Sequence, residues 1–243
     1  MTDDPRQTAF FTLHRDLPRE GPGEPSDVAW AAKVAELPAD AQIADAACGP
    51  GGDVAALLQA APEGHVTALD LTPHFVDAAR ARWADDPRVT TLRADMTVIK
   101  NRHDMIWCAG AVYFIGIETA LRNWRAALKP QGVVAFSEVC WKGDTRSDRA
   151  RAVWDGYAAM TDRAGINAHV AAAGYEVVDQ RWLSDAAWEG YFGPLDARIA
   201  ALRDAAAKDD ALAKVLDEAE EEAACWRAHR DEFGYLLSVV RPA

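Results

Sequence analysis

The stretch Ile43-Ala44-Asp45-Ala46-Ala47-Cys48-Gly49-Pro50-Gly51-Gly52-Asp53-Val54 decides the fold. An apolar run leads into three glycines and a proline, and a second apolar run follows. Strand, bare-backbone turn and helix read in that order, because glycine adopts turn conformations that side chains resist. A turn of this kind at the carboxyl end of a strand lets a ligand lie against main chain. It is not a dinucleotide loop. Counted from Gly49, the G-x-G-x-x-G pattern wants glycine where Val54 stands, and no Lys-Ser/Thr follows to make a phosphate loop.

Working outward, short β-branched or apolar runs at 42–47, 65–70, 88–93, 104–108 and 132–138 predict strands. Helical patterns lie between them near 27–36, 53–60, 74–84 and 117–128. Strands alternating with helices imply an α/β fold, a parallel sheet with helices on both faces. Beyond the fifth strand a helical stretch covers 146–172, "GYEVVDQRWLS" reads as a sixth strand, and "FGYLLSVVRP" reads as a seventh. A helical insertion at about 186–230 separates those last two. Its second half sets Leu212, Val215, Leu216, Ala219, Ala223 and Trp226 on one face, either as a stripe hidden against the domain or as a cap over a pocket. Residues 1–25 read as an N-terminal segment ending in a Pro- and Gly-rich loop, and 26–243 as the main domain, its first helix capped by Ser26.

Composition narrows the partners. With a net charge of −12 and no basic stripe, the chain lacks the footprint of a nucleic-acid clamp, so a small molecule is the expected partner. No apolar run is long enough to span a bilayer and the start lacks a signal pattern, so no membrane association is expected and the expected compartment is the cytoplasm. Cys48, Cys108, Cys140 and Cys225 form no CxxC pair and read as reduced thiols. The six histidines show no metal spacing, so no metal is expected. A monomer or a homodimer fits equally.

Two acids sharpen the ligand. Asp70 ends the second strand in "VTALDLTP", where a carboxylate accepts both hydroxyls of a ribose. Asp95 follows the third in "TTLRADM", where an acid accepts from an adenine amino group. Either acid could instead be a plain helix cap or turn residue. Together, without a phosphate loop, they imply a nucleoside lacking phosphates, of which S-adenosylmethionine is the common example.

At "DAACGPGG", "LDLTP", "RADM" and "ALKPQGVVAFSE" the sequence resembles the class I S-adenosylmethionine-dependent methyltransferases, over about 27–241. That resemblance implies a Rossmann-like, seven-stranded, mostly parallel sheet with an antiparallel final strand. A narrower resemblance, to bacterial methyltransferase-domain proteins, rests on an R-x-G-P-G loop (Arg19 to Gly23), "GAVYFIG", "SEVCW" and "YFGPL". The class I resemblance implies that Gly49 and Gly51 approach the methionine moiety, with Asp45 bracing their loop. By that same class I resemblance Asp70 holds ribose, Leu71 packs on adenine, Asp95 and Met96 hold the adenine edge, and Cys108 offers its carbonyl. Ala109 stands where those relatives often carry an acid.

For the chemistry, Tyr113, Glu138, Trp141 and Tyr191 are the candidates at the acceptor. Glu138 is a base or an orienting group, and the aromatic rings attract a sulfonium. Each has a structural alternative in the core or at a strand end. Arg19 is expected to fold over the pocket within a lid of about residues 10–24, or to pair with a nearby acid. A nicotinamide-dependent oxidoreductase and a non-catalytic cofactor-binding module remain the competing readings.

Overall fold

A computed structural model describes residues 4–243. Seven strands form one sheet: β1 Gln42–Ala46, β2 His65–Asp70, β3 Val89–Arg93, β4 His103–Ala109, β5 Leu128–Trp141, β6 Tyr175–Trp182 and β7 Phe233–Pro242. Their spatial order is β3-β2-β1-β4-β5-β7-β6. β1 pairs in parallel with β2 and β4, and β7 runs antiparallel to both β5 and β6. The order reverses at β1, which places the crevice over the carboxyl ends of β1 and β4. All seven predicted strands are present, and β5 is longer than expected at both ends.

Nine α-helices flank the sheet among the described residues: α1 Pro5–His14, α2 Pro25–Val34, α3 Val54–Ala60, α4 Pro73–Arg82, α5 Ile117–Trp124, α6 Asp148–Trp154, α7 Arg163–Ala172, α8 Asp185–Ala206 and α9 Asp210–His229. Central strands are buried on both faces, and side chains alternate between two cores. Ile43, Met105, Trp107, Ala135 and Val139 face one core, which α1, α3, α8 and α9 complete. Ala44, Ile106, Val134, Phe136 and Cys140 face the other, under α5 and α7.

The helices differ from expectation where a cap interrupts a pattern. The stretch 146–172 is two helices, because Asp162 caps α7 by accepting from the Gly165 amide at 2.9 Å. The insertion is likewise two helices, Asp209 capping α9. α2 begins at Pro25 with Glu24 and Asp27 in a reciprocal capping box, so Ser26 lies inside the first turn and is not the cap. Ahead of it, α1 starts at Pro5 with Asp4 as its cap, and buries Ala9 and Leu13 against the insertion. The stripe of α9 packs inward with α1 and α8: Leu212, Val215, Leu216, Ala223 and Trp226 are buried. No described helix is long and apolar enough to cross a membrane.

Candidate functional site

The glycine turn is built by its neighbours. Ala47, Gly49 and Gly51 take positive φ values of 59°, 53° and 77°, the left-handed conformation in which glycine carries no steric penalty. A Cβ at Gly51 would lie 3.0 Å from the Trp83 indole nitrogen, so the side chain is excluded there by space as well. The register Ala46↔Leu69 brings the end of β2 alongside the turn. Asp70 Oδ2 accepts from the Gly49 amide at 3.0 Å, and Oδ1 from the Thr72 amide at 2.8 Å. Each oxygen keeps a lone pair for a further donor. Leu71, next in the chain, is 60% exposed.

Asp45 is buried below the turn, and its Oδ2 has no hydrogen-bond partner. Burial pushes its carboxyl well above the usual range; the charges of Asp53 and Asp70 add to this and Arg19 opposes it. Asp95 is nearly open to solvent. Its Oδ1 accepts from the amide and hydroxyl of Thr97, both at 2.8 Å, and these bonds lower its pKa. This is the turn geometry that the sequence left as an alternative. Met96 is buried, and its carbonyl accepts from Trp124 Nε1 at 2.6 Å. Cys108 is buried at the end of β4, where burial pushes its thiol up. Cys48 lies in one core and Cys108 with Cys140 in the other, so the three thiols do not gather on one face.

Arg19 pairs with Asp53 at 3.3 Å and donates from Nε to the Gly21 carbonyl, closing the loop beside Gly23. Of the two expected arrangements, pairing with a nearby acid is the one present. Glu20 instead faces the inner side of the turn, its Cγ 3.2 Å from where a Gly49 Cβ would stand. Its Oε2 meets His14 Nδ1 at 2.7 Å, and its buried Oε1 has no partner. Burial raises the Glu20 pKa against the His14 contact.

Tyrosines and acids follow the carboxyl ends of β4 and β5. Tyr113 sits in the 3₁₀ turn Val112–Phe114 after β4, its ring 5.9 Å from that of Tyr157. Tyr157 donates to Glu138 Oε1 at 2.7 Å, while Glu138 Oε2 is buried with no partner. Burial pushes the Glu138 carboxyl up to about 7, against the Tyr157 hydrogen bond. Tyr235 comes from β7 and passes beside Gly110, Tyr191 comes from α8, and Glu222 from α9. Burial raises the Glu222 pKa, with His14 opposing. The charge of Glu222 acts on Tyr113, Tyr191 and Tyr235, each raised chiefly by burial. Glu222 is half-buried and Tyr113 is 37% exposed, while Tyr191 and Tyr235 are buried.

Trp141 is buried in the same core as Tyr191 and Tyr235, with Phe233 at 6.2 Å and the Arg146 guanidinium at 5.2 Å from its ring. The sequence also passed over Glu20, Tyr157, Glu222 and Tyr235. Glu222 carried a signal: it follows Ala219 by three residues and precedes Trp226 by four, which puts an acid in phase with the buried stripe. Among the described residues no group of His, Cys, Asp and Glu could hold a metal.

Residues 43–132 match the family model for a methyltransferase domain. No curated protein matches the chain in sequence. Among solved structures, the S-adenosylmethionine-dependent methyltransferases of Geobacter sulfurreducens and Thiobacillus denitrificans, both in complex with S-adenosyl-L-homocysteine, are each 19% identical with a TM-score of 0.81, covering 100% of both chains. YjhP of E. coli is 19% identical at a TM-score of 0.82, covering 97% of this chain and 99% of its own. The chain is therefore similar to a methyltransferase domain over residues 43–132, and it shares its seven-stranded fold with these solved structures.

Proposed function

We propose that the chain transfers the methyl group of S-adenosylmethionine to a small-molecule acceptor. The observation that carries this reading is Asp70: its carboxylate is fixed by the Gly49 and Thr72 amides at the crevice, beside bare glycine backbone and the exposed Leu71. Asp70 would hold the ribose hydroxyls, and Leu71, Asp95 and Met96 the adenine. Gly49, Gly51, Asp45 and Cys108 would line the methionine end. Glu20 adds an acceptor for the ligand's ammonium group, since its Oε1 is buried without a partner. Arg19 and Gly23 shape the loop that closes this end, within a lid of residues 10–24 on the domain 26–243.

When bound, the cofactor supplies an electrophilic methyl on a sulfonium. The chain's task is then to align the acceptor and, where the acceptor carries a proton, to take it. Tyr113, Glu138, Trp141 and Tyr191 would meet the acceptor. A net charge of −12 favours a small molecule over nucleic acid. Four unpaired thiols fit a reducing cytoplasm, and a monomer or a homodimer would serve equally.

Calorimetry against S-adenosylmethionine, S-adenosylhomocysteine, NAD and NADP tests the reading. Micromolar binding of the first two and none of the nicotinamides is expected. Tight nicotinamide binding with silence from the sulfonium compound would overturn it.

A further inference from the structure

Exposure falls along a chain of four side chains that leads from solvent to the end of β5. Phe114 is 69% exposed, and its ring lies 4.1 Å from that of Tyr113, which is 37% exposed. The Tyr113 ring meets the Tyr157 ring edge-on at 5.9 Å, and the Tyr157 hydroxyl donates to Glu138 Oε1 at 2.7 Å. Glu138 is 2% exposed, and its Oε2 is buried without a partner. A buried carboxylate oxygen without a donor is costly, so packing alone does not explain an acid at this position. Tyr157 is itself fixed. Its amide donates to the Trp154 carbonyl at 2.9 Å and its carbonyl accepts from the Met160 amide at 3.0 Å. Just beyond, the Thr161 carbonyl accepts from the Trp141 amide at 2.9 Å. Turns fastened to the end of β5 thus carry the hydroxyl to a carboxylate of the same strand.

We propose that Tyr157 is a positioning residue: by holding Oε1 of Glu138 it leaves Oε2 to take the proton of the methyl acceptor, an aromatic hydroxyl whose ring lies against Tyr113 and Phe114. This builds on the methyltransferase reading. The hydroxyl oxygen takes the methyl carbon, the electron pair of the broken carbon–sulfur bond stays on sulfur, and Glu138 Oε2 takes the proton. The products are a methyl ether, a thioether and a neutral carboxyl. A neutral amine attacks through its own lone pair before it loses a proton, so a buried base adds little for it. Proton transfer from an aromatic hydroxyl of pKa about 10 to Glu138, at about 7, is about three decades uphill. From a water-like hydroxyl of about 16 it is far more. The charge of Glu138 reaches the thiols of Cys108 and Cys140 and the phenols of Tyr113, Tyr157 and Tyr235, all pushed up by burial. Among these groups only Glu138 changes charge near neutral pH.

Phenol and its methyl ether anisole share one ring and test the acceptor class. Their binding is measured by calorimetry above the Glu138 midpoint, with and without S-adenosylhomocysteine. Phenol is expected to bind at least tenfold more tightly, the effect of one hydrogen bond to a charged group. Equal binding overturns the aromatic hydroxyl. For Tyr157, the Glu138 carboxyl is titrated by carbon NMR of the labelled protein. Its midpoint is expected to be higher in Tyr157→Phe than in the native protein, because that variant keeps the ring and removes a bond to the charged form. A ring-fluorinated tyrosine at position 157, a stronger donor of nearly the same shape, should lower the midpoint. A packing role moves neither, so an unchanged titration in either folded protein overturns the positioning role. If S-adenosylhomocysteine does not bind, the methyltransferase reading fails, and the probe ratio measured without it still decides whether Glu138 receives a hydroxyl.

Discussion

Asp70 and Glu222 are acids in opposite circumstances. Asp70 accepts two backbone amides on turns next to its own strand, whereas Glu222 is half-buried on α9 and no protein side chain or amide bonds it. Glu138 stands between them, with one phenol for its two oxygens. Burial pushes the Glu222 carboxyl toward its neutral form. Asp70 is therefore satisfied as folded, while Glu138 keeps one buried oxygen without a partner. Local backbone builds the first; packing of α8, α9 and β7 over β5 builds the second.

The comparison breaks most readily at α9, the helix that carries Glu222. Trp226 on α9 stacks on Trp188 of α8 at 5.0 Å with the planes 10° apart. Trp226→Ala should cost about 3–5 kcal/mol of unfolding free energy, read by denaturant titration. A loss below about 1 kcal/mol would mean that the insertion is not part of the core.

Glu138 sharpens the electrostatic side. Its folded pKa of about 7 exceeds the ordinary 4.5, so between those values the folded state keeps a proton that the unfolded state sheds. Its contribution to stability is complete below about pH 4.5 and is lost as pH rises to about 7, an order of 3 kcal/mol at about 1.4 kcal/mol per unit. Glu138→Gln should lack that slope, so the native-minus-variant difference should show it while the other buried acids cancel. If Glu138 takes a proton from the acceptor, kcat/KM of the native protein should rise up to about pH 7 and the variant should lack that limb. Identical pH profiles would discard the base.

At the turn, Asp70→Ala frees two amides and should cost about 2 kcal/mol of stability without any ligand. It should also weaken S-adenosylmethionine binding at least tenfold. Unchanged affinity would show that the cofactor does not lie there. The smallest effect is expected at Arg19. Removing its pairing with Asp53 by Arg19→Ala should cost about 1 kcal/mol and loosen the loop Pro18–Gly23. Cofactor should protect residues 10–24 from proteolysis in the native protein, and equal cleavage with and without cofactor would remove the lid.

Much of the turn was legible because its determinants are local. Gly49, Gly51, Asp70 and Leu71 lie in two βα junctions whose strand–turn–helix pattern is written in short apolar runs and glycines. Asp45 announced its place in a strand but not its unpaired oxygen, which depends on how three acids and Arg19 come together. The sequence named Trp141 but not its neighbours Phe233 and Arg146, which come from distant parts of the chain. Helix α1 went unread, although Asp4-Pro5 is a start signal, because its helical pattern is short and its stability comes from α8 and α9.

The sequence by itself determined the alternation of strands and helices, the glycine turn, the acids at the ends of β2 and β3, and the absence of a phosphate loop. Each is a property of neighbours along the chain. Only the tertiary structure decided that Glu20 rather than Arg19 faces Gly49, and that Tyr157 reaches Glu138. Those contacts join elements far apart in sequence, and the desolvation that gives the acids their chemistry exists only once the insertion has closed over the sheet.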